Sequence, residues 1–369
     1  MLDFLNSKKD CTGCGACIAA CPVSCISWKR DGEGFDYPVA SKDCINCGKC
    51  AKVCPSNEKP VPAQLACKHA YAAIARDDEV WEGAASGGAF PCVAGALLGS
   101  CVGSSHPAAV FGAVWDGMDV RHVMATDVFG ITPMQKSKYV QSDTSTAFAK
   151  AAEVLSAGGT VLYTGTPCQV AAARKLLGDH ERLYCIDLIC HGVGSPGVFQ
   201  RYLEELSARK GRRVQSYSFR HKVKRFGNIE DHRSLIIYED GTVEQPVHDL
   251  ISRLFLKQLS LRPSCGEGCP YRDAARQGDI TLADLKGKGA VCPEVADERQ
   301  YSCVVVNTEK GSRLWELTLP LMRSQEIPLE GVVRHNPLYD HSTKGNPERA
   351  RFFSELARTG SVFDAASSC

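Results

Sequence analysis

Eight cysteines near the start of the chain form two groups with the same internal spacing. Both groups read C-x2-C-x2-C-x3-C followed directly by proline, and the second repeats the first 33 residues later. Three thiolates at this spacing can surround one face of an iron–sulfur cube, and in two-cluster ferredoxins the fourth cysteine binds the other cluster. The pattern therefore predicts two 4Fe-4S clusters. Their predicted ligands are Cys11, Cys14, Cys17 and Cys54 for the first, and Cys44, Cys47, Cys50 and Cys21 for the second.

Zinc is the alternative metal, because CxxC pairs also bind zinc. Zinc sites usually separate their CxxC pairs by about a dozen or more residues. They also lack the third close cysteine and the C-P ending seen here, so the spacing favours iron–sulfur. Cys25, which belongs to neither group, is interpreted as a small buried apolar residue.

Composition narrows the class of protein further. The chain has 369 residues, 20 cysteines, and 43 basic against 42 acidic side chains, for a net charge of +1. This balance gives no electrostatic reason to expect nucleic acid or an anionic membrane as partner. No apolar run approaches the roughly 18 residues of a membrane span, and the first residues lack the apolar stretch of a signal peptide. We expect a cytoplasmic protein, in which abundant cysteine indicates metal rather than disulfides.

The elements that would position these residues divide the chain in two. Residues 1–60 are predicted to form a ferredoxin-type domain with a hairpin between the two cysteine groups, and residues 61–66 are predicted to form a linker. Beyond it, at 67–369, predicted strands alternate with predicted helices, for example TVLYTG, QVAAARKLLG, RLYCIDLIC and PGVFQRYLEELSARKG. Such alternation is typical of an α/β domain with a parallel or mixed sheet covered on both faces. The fold class is therefore α+β or α/β, with a bacterial-ferredoxin-like domain followed by a larger mixed-sheet domain.

Four cysteines of the larger domain lie in loops where such sheets bind ligands. Cys168 and Cys190 follow two predicted strands, and Cys265 and Cys269 lie in the loop RPSCGEGCPYRD. Ligands of α/β sheets collect beyond the carboxyl ends of the strands, so these cysteines could hold a third 4Fe-4S cluster. From spacing alone, buried free cysteines are the alternative.

Several stretches of the chain resemble the beta subunit of coenzyme F420 hydrogenases and dehydrogenases, in a form fused to a two-cluster ferredoxin domain. The resemblance extends in family order over most of the chain. The matching stretches are ASGGAF (85–90), QKSKYVQSD (135–143), YTGTPCQVAAARKLL (163–177), DLICHGVGSPGVFQRYL (187–203), FRHK (219–222), CGEGCPYRDAARQGDITLAD (265–284) and VVVNTEKG (304–311).

The resemblance implies FAD in the larger domain and a cluster close to it. Carried over to this sequence, it makes Cys168, Cys190, Cys265 and Cys269 the ligands of a third cluster. It also implies a flavin site that includes two adjacent glycines and a lysine suited to a pyrophosphate or a reduced flavin. The implied flavin residues are Ser86, Gly87, Gly88, Lys138, Tyr139, Gln141, Ser142, Gly165, Thr166 and Gln169.

The resemblance further implies an FAD- and iron–sulfur-dependent oxidoreductase linked to F420 or ferredoxin. Electrons would pass between ferredoxin or reduced F420, the clusters and FAD, with hydride transfer to an organic or sulfur-type acceptor. His191, Asp187 and Lys138 are candidate catalytic residues, although a loop histidine and a capping aspartate are equally compatible with structural roles. The alternative function is an electron-transfer subunit without its own substrate, serving a partner enzyme. The sequence is also compatible with a homo-oligomer.

Two departures from the family pattern concern the last cysteine pair and a string of residues after it. Many relatives have C-x2-C there and a later acidic-aromatic-Trp-Gly string. In this chain the spacing is C-x3-C, and the string reads Asp284-Leu285-Lys286-Gly287. The missing aromatic pair predicts a different substrate rather than a different fold.

Overall fold

A computed structural model of the protein describes residues 1–225, 228–266, 268–295 and 299–369. The N-terminal unit contains two short helices and one antiparallel hairpin, which confirms the hairpin predicted between the cysteine groups. Its elements are α1 (Ala16–Ala19), β1 (Ile26–Arg30), β2 (Asp36–Ala40) and α2 (Lys49–Lys52).

The glycine repeated in the two cysteine groups has a conformational role. Gly15 and Gly48 precede α1 and α2 with φ values of 75° and 72°, in the left-handed region that favours glycine. Each glycine lies between the second and third cysteines of its group, where the backbone must turn into a helix. The repeat in sequence is therefore a repeat in backbone geometry.

The larger part of the chain contains two sheets with helices packed around them. Its strands are β3 (His69–Ala75), β4 (Ala108–Asp116), β5 (Asp119–Ala125), β6 (Ser142–Asp143), β7 (Thr160–Thr164), β8 (Leu183–Leu188), β9 (Val214–Arg225), β10 (Asn228–Tyr238), β11 (Val243–Glu244), β12 (Ile280–Asp284), β13 (Ser302–Val306) and β14 (Met322–Ile327). Its helices are α3 (Asp78–Gly83), α4 (Ala89–Ser100), α5 (Val128–Ile131), α6 (Ser145–Ser156), α7 (Pro167–Leu177), α8 (Pro196–Lys210), α9 (Leu250–Leu256), α10 (Lys288–Val291), α11 (Glu309–Thr318), α12 (Leu329–His335), α13 (Arg349–Thr359) and α14 (Val362–Ser367).

The main sheet has the strand order β14-β3-β13-β12-β8-β7-β4-β5-β6 and is mixed, as predicted. The run β12, β8, β7 and β4 is parallel, whereas the β13, β3 and β14 side is antiparallel. Alternate residues of β7 face opposite layers: Leu162 joins the core beneath α4 and α11, and Val161 and Tyr163 join the core beneath α6 and α7. Helices therefore cover both faces of the sheet.

A third core connects the N-terminal unit to the rest of the protein. Sheet β11-β10-β9 packs with α8, α13 and α14, and the same cluster of buried residues includes Phe35 and Tyr37 of the hairpin region. The close approach of the backbones at Gly34 and Gly197 leaves no space for a Cβ on either residue. The N-terminal unit is thus packed into a common core.

The segment predicted as a linker, 61–66, contains neither helix nor strand. The Leu65 N–H nevertheless donates a 2.8 Å hydrogen bond to the Asn307 carbonyl, and the Gln64 amide donates to the Arg276 carbonyl. Among the described residues, no helix is both long and apolar enough to cross a membrane.

Candidate functional site

The first predicted cysteine set comes together at the boundary between the two parts of the chain. Cys11, Cys14, Cys17 and Cys54 line one cavity, so the fourth thiol arrives from the second sequence group. Burial, together with smaller effects of the neighbouring Cys54 and Cys11 thiols, raises the pKa of Cys14 to about 12. Four buried or half-buried thiols around one cavity form a donor set that fits a metal cluster, because bound metal displaces the thiol protons.

The second cysteine set lies closer to the surface. The Cys47 side chain is exposed, whereas burial raises the pKa of Cys50, which lies near Cys44 and Cys47. Cys25 joins this set: its Sγ lies 3.4 Å from that of Cys21, and its backbone N–H donates to the Cys21 Sγ at 3.3 Å. No sequence pattern indicates this contact, because Cys25 stands outside the repeated spacing.

The third set gathers at the carboxyl ends of two parallel strands. Cys168 lies in the first turn of α7, after β7, and Cys190 lies two residues after β8. Burial raises the pKa of Cys168 well above its ordinary value, and the adjacent Cys190, Cys265 and Cys269 thiols raise it further. All four predicted ligands are therefore close to one another. Within the described ranges, no group of three or more His, Cys, Asp or Glu side chains closes around a single metal ion.

Two buried tyrosines lie between the first and third cysteine sets. Burial raises the pKa of Tyr271, and Cys168 and Cys269 on one side and Cys14 and Cys54 on the other raise it further. The pKa of Tyr163 is raised by burial and by the nearby Cys14 and Cys168 thiols. The first and third sets are thus neighbours inside the protein, while the second set lies towards solvent.

The glycine loop predicted for the flavin lies directly before α4. The Ser86 hydroxyl donates to the Tyr301 carbonyl at 2.8 Å, and the Gly87 N–H donates to the Ser302 hydroxyl at 3.0 Å. A Cβ on Gly87 would lie 2.3 Å from the Ala73 carbonyl oxygen and from the Ser302 nitrogen. Gly87 is therefore required for close packing of this loop on the sheet.

Lys138 is a half-buried lysine in the loop before β6. Its ammonium group donates to the carbonyls of Gln135 at 2.7 Å and Met134 at 3.2 Å. Burial, together with a smaller effect of the nearby Lys136, lowers its pKa to about 7. The next residue, Tyr139, stacks on Phe255 with ring centroids 4.3 Å apart. A lysine with this pKa can hold or release a proton near neutral pH.

Strand β9 joins the Ser86 and Lys138 loops through basic side chains. The Lys222 ammonium donates to the Ser86 carbonyl at 2.6 Å and lies over the Trp81 ring. The Lys136 ammonium lies 2.9 Å from Nδ1 of His221. We call the cations around these two loops the basic cluster: Lys136, Lys138, Arg220 and Lys222. Of these, Arg220 pairs with Asp284 at 2.7 Å.

The other predicted flavin residues form hydrogen bonds or close contacts with other residues of this chain. The Gln141 amide donates to the carbonyls of Thr12 and Gly13 in the first cysteine loop. The Gln169 amide donates to the Ser142 hydroxyl at 2.9 Å, and Gln169 caps α7 together with Thr166. A Cβ on Gly165, the last of these residues, would lie 3.0 Å from the Gln169 carbonyl oxygen.

The two remaining catalytic candidates have different surroundings. Asp187 is fully buried and accepts hydrogen bonds from the N–H groups of Gln277 and Gly278 and from the Thr281 hydroxyl, which suits a structural role. His191 is half-buried, and its Nε2 lies 3.2 Å from the Phe255 carbonyl oxygen. Burial lowers the pKa of His191 below its ordinary value.

Two buried arginines beside the cysteine sets were not predicted from the sequence. Arg262 donates to the carbonyl and the sulfur of Cys11, and Arg272 donates to the carbonyl of Cys190. Arg262 lies 251 positions from Cys11 in sequence, so no local motif could reveal the contact.

Comparison with known proteins identifies both parts of the chain. Residues 10–57 match the 4Fe-4S dicluster domain, and residues 158–323 match the C-terminal part of the beta subunit of coenzyme F420 hydrogenase/dehydrogenase. Residues 10–57 are thus similar to a 4Fe-4S dicluster domain, and residues 158–323 are similar to the C-terminal region of the F420 hydrogenase/dehydrogenase beta subunit. This confirms the family resemblance and the choice of iron–sulfur over zinc for the N-terminal unit.

One solved structure shows a weak similarity to this chain. A chain from a xenon derivative of the F420-reducing [NiFe] hydrogenase complex from Methanosarcina barkeri is 17% identical, with a TM-score of 0.47. The match covers 84% of this chain and 93% of that chain, and the similarity is too low to carry an argument. No curated protein sequence matches this chain.

Proposed function

We propose that the protein is an iron–sulfur flavoprotein oxidoreductase that couples one-electron transfer through 4Fe-4S clusters to hydride chemistry at FAD. Ferredoxin or reduced coenzyme F420 would be the redox partner, and the acceptor would be an organic or sulfur-type compound. When bound, the clusters supply one-electron steps and the flavin supplies two-electron steps. The observation that carries the proposal is the order of the three cysteine sets, from the surface to the neighbourhood of the basic cluster.

The second cysteine set, which lies nearest the surface, is suited to contact with a partner protein. Cys47 and Ile45 are exposed beside α2, and that helix contributes Lys49 and Lys52. An exposed ligand loop lets a partner's redox centre approach closely, and the lysines favour a partner with acidic side chains. This surface supports electron exchange with a small acidic protein such as ferredoxin.

The region between the third cysteine set and the basic cluster is suited to an anionic cofactor. The loop after Cys190 pairs with the Lys138 loop, since the Gly194 N–H donates to the Tyr139 carbonyl and the Gln141 N–H donates to the Gly194 carbonyl. The His191 ring lies 4.9 Å from the Phe255 ring on which Tyr139 stacks. Basic side chains on a loop that pairs with the loop after Cys190 favour a group that carries phosphates, and Ser86, Gly87, Gly88 and Lys138 are the residues we expect at FAD.

The first test is the iron, sulfide and flavin content of protein purified and reconstituted without oxygen. About twelve irons and one FAD per chain would support the proposal, whereas about eight irons and no flavin would contradict it. Cys168→Ser should then lose about four irons and keep the N-terminal clusters. Cys303→Ser is the matched control, since Cys303 is buried in β13 outside the three sets and should keep all its iron.

The second candidate function is an electron-transfer subunit that serves a partner enzyme and has no substrate of its own. The hydrogen bonds of the Gln141 and Gln169 amides to other residues of this chain favour this second function, because neither amide then faces a cofactor. The isolated chain should be assayed for oxidation of reduced F420 and for reduction of F420 by ferredoxin. Turnover of either donor supports the oxidoreductase, and reduction of a partner protein alone supports the electron-transfer subunit.

A further inference from the structure

Arg262 is a buried cation next to the first cysteine set. Only 1% of its surface is exposed, and it lies between α9 and the turn that contains Cys265. Its Nη2 donates to the Cys11 Sγ at 3.4 Å, and its Nε donates to the Cys11 carbonyl at 2.8 Å. The remaining donors bond to the Gln141 side-chain oxygen and to the Asp36 carbonyl.

Two other buried arginines, Arg174 and Arg276, each lie beside a buried carboxylate. Arg174 pairs with Asp279 at 2.9 Å, and Arg276 lies 3.4 Å from Asp187. In the described part of the chain, Arg262 has no carboxylate partner: its hydrogen bonds end on carbonyl groups, an amide and a sulfur. Its guanidinium group also lies over the Tyr37 ring, with the central carbon 4.3 Å from the ring centroid.

A buried guanidinium stays charged, because its pKa is too high for it to lose the proton inside a protein. Burying such a charge without a counter-ion is costly, and neutral carbonyl and amide oxygens compensate it only in part. The remaining hydrogen-bond acceptor of Arg262 among the described residues is the Cys11 sulfur. A thiol is neutral, whereas a cysteine that binds a cluster is a thiolate, and the cluster with its four thiolates is an anion.

We propose that Arg262 is the counter-cation of the first cluster and a positioning residue for Cys11. A positive charge and an N–H donor at a ligand sulfur stabilise the reduced state, which carries one more negative charge than the oxidised state. Arg262 therefore raises the reduction potential of the first cluster. The exposed second set has no such arginine in the described part of the chain, so an electron arriving there moves inward towards Arg262.

The guanidinium also lies close to the third cysteine set. The Cys265 N–H donates to the Arg262 carbonyl at 2.9 Å, and the charge of Arg262 acts on the Cys265 thiol. The same residue thus connects the loop of the first cluster with a ligand loop of the proposed third cluster. The assignment to Cys11 is independent of that third cluster, because it requires only the dicluster domain.

The test compares three variants by iron content and by redox titration followed by electron paramagnetic resonance. Arg262→Met removes the charge, Arg262→Lys keeps it without the fork of donors, and Arg349→Met is the matched control. Arg349 donates to the Leu261 carbonyl in the same segment, but it pairs with Glu33 and contacts no cysteine sulfur among the described residues. A Cys11→Ser variant identifies which signal belongs to the first cluster.

We expect Arg262→Met to shift the first cluster to a more negative potential and leave the second unchanged. Arg262→Lys should give a smaller shift, and Arg349→Met should give none. Unchanged potentials in Arg262→Met would overturn the proposal. If Arg262→Met loses iron, Arg262→Lys decides: retained iron with a near-normal potential supports the role of the charge. Loss of iron from Arg262→Lys as well would show that the guanidinium serves only the geometry of the loop, which overturns the charge assignment.

Discussion

The Tyr271 phenol donates a 2.9 Å hydrogen bond to the Pro55 carbonyl. Pro55 directly follows Cys54 of the first cysteine set, and Tyr271 lies two residues after Cys269 of the third. One hydrogen bond between buried groups therefore joins the ligand loops of the two inner sets. The proline that ends the ferredoxin motif supplies the acceptor for this contact.

We expect Tyr271→Phe to destabilise the protein by about 1–2 kcal/mol, because the buried Pro55 carbonyl loses its donor. The measurement is thermal unfolding of the cluster-loaded protein. Tyr339→Phe is the control, since the Tyr339 hydroxyl is buried and has no hydrogen-bond partner among the described residues. Equal melting temperatures for Tyr271→Phe and the unaltered chain would show that the contact does not hold the loops together.

The neighbouring cysteines Cys21 and Cys25 give a second prediction. The repeated spacing makes Cys21 a ligand of the second cluster and leaves Cys25 outside the ligand set, although their sulfur atoms are 3.4 Å apart. We therefore expect Cys25→Ala to keep its full iron content and Cys21→Ala to lose about four irons per chain. Iron analysis of both variants distinguishes the two roles. Full iron in Cys21→Ala would instead mean that Cys25 takes over as ligand.

The sequence predicts most of the ligand sets because their geometry is local. The x2 and x3 spacings and the glycines at positions 15 and 48 specify a backbone turn within a few residues, and the structure reproduces that turn. The strands before Cys168 and Cys190 also follow from short apolar runs. Element boundaries do not follow from such runs: within VVVNTEKG (304–311), β13 ends at Val306 and α11 begins at Glu309, where the Thr308 side chain caps the helix.

The residues that set the charge around the sites could not be predicted in the same way. Arg262 reaches Cys11 across 251 positions and Lys222 reaches Ser86 across 136, so only the folded chain brings them together. FRHK at 219–222 is part of the family resemblance, but its role depends on the unpredicted strand β9, which carries Lys222 to the glycine loop. Local patterns thus locate the ligands, and tertiary contacts determine their environment.

Close packing at Gly87 gives a third prediction. A Cβ there would lie 2.3 Å from two backbone atoms that cannot move without disturbing the sheet. We expect Gly87→Ala to destabilise the protein by about 1–3 kcal/mol or more, as overpacked sites do. Gly95→Ala is the control, because nothing lies within 4 Å of its Cβ position in α4, and alanine there should stabilise the helix by up to about 1 kcal/mol. Thermal unfolding without cofactor measures both changes, and a neutral Gly87→Ala would contradict the packing argument.

The pKa of Lys138, about 7 against an ordinary 10.5, predicts two pH dependences of opposite sign. Without a bound anion, the unfolded chain binds more protons than the folded chain between these values, so the contribution of Lys138 to stability rises with pH from about 7 to 10.5. An anion at the site prefers the protonated lysine and raises its pKa. Binding should therefore weaken as the pH rises through and above about 7.

The pH dependence of binding is measured as flavin release between pH 6 and 9, followed by fluorescence. The pH dependence of stability is measured as thermal unfolding of the cofactor-free chain. Lys138→Met is the reference for both, because it keeps an apolar stem and has no proton to lose. We expect the unaltered protein to lose flavin increasingly above neutral pH and to gain stability relative to Lys138→Met over the same range. Flavin retention that follows the same pH profile in both proteins would remove Lys138 from the cofactor site. The stability difference would still report its burial, so the two properties of this lysine can be tested separately.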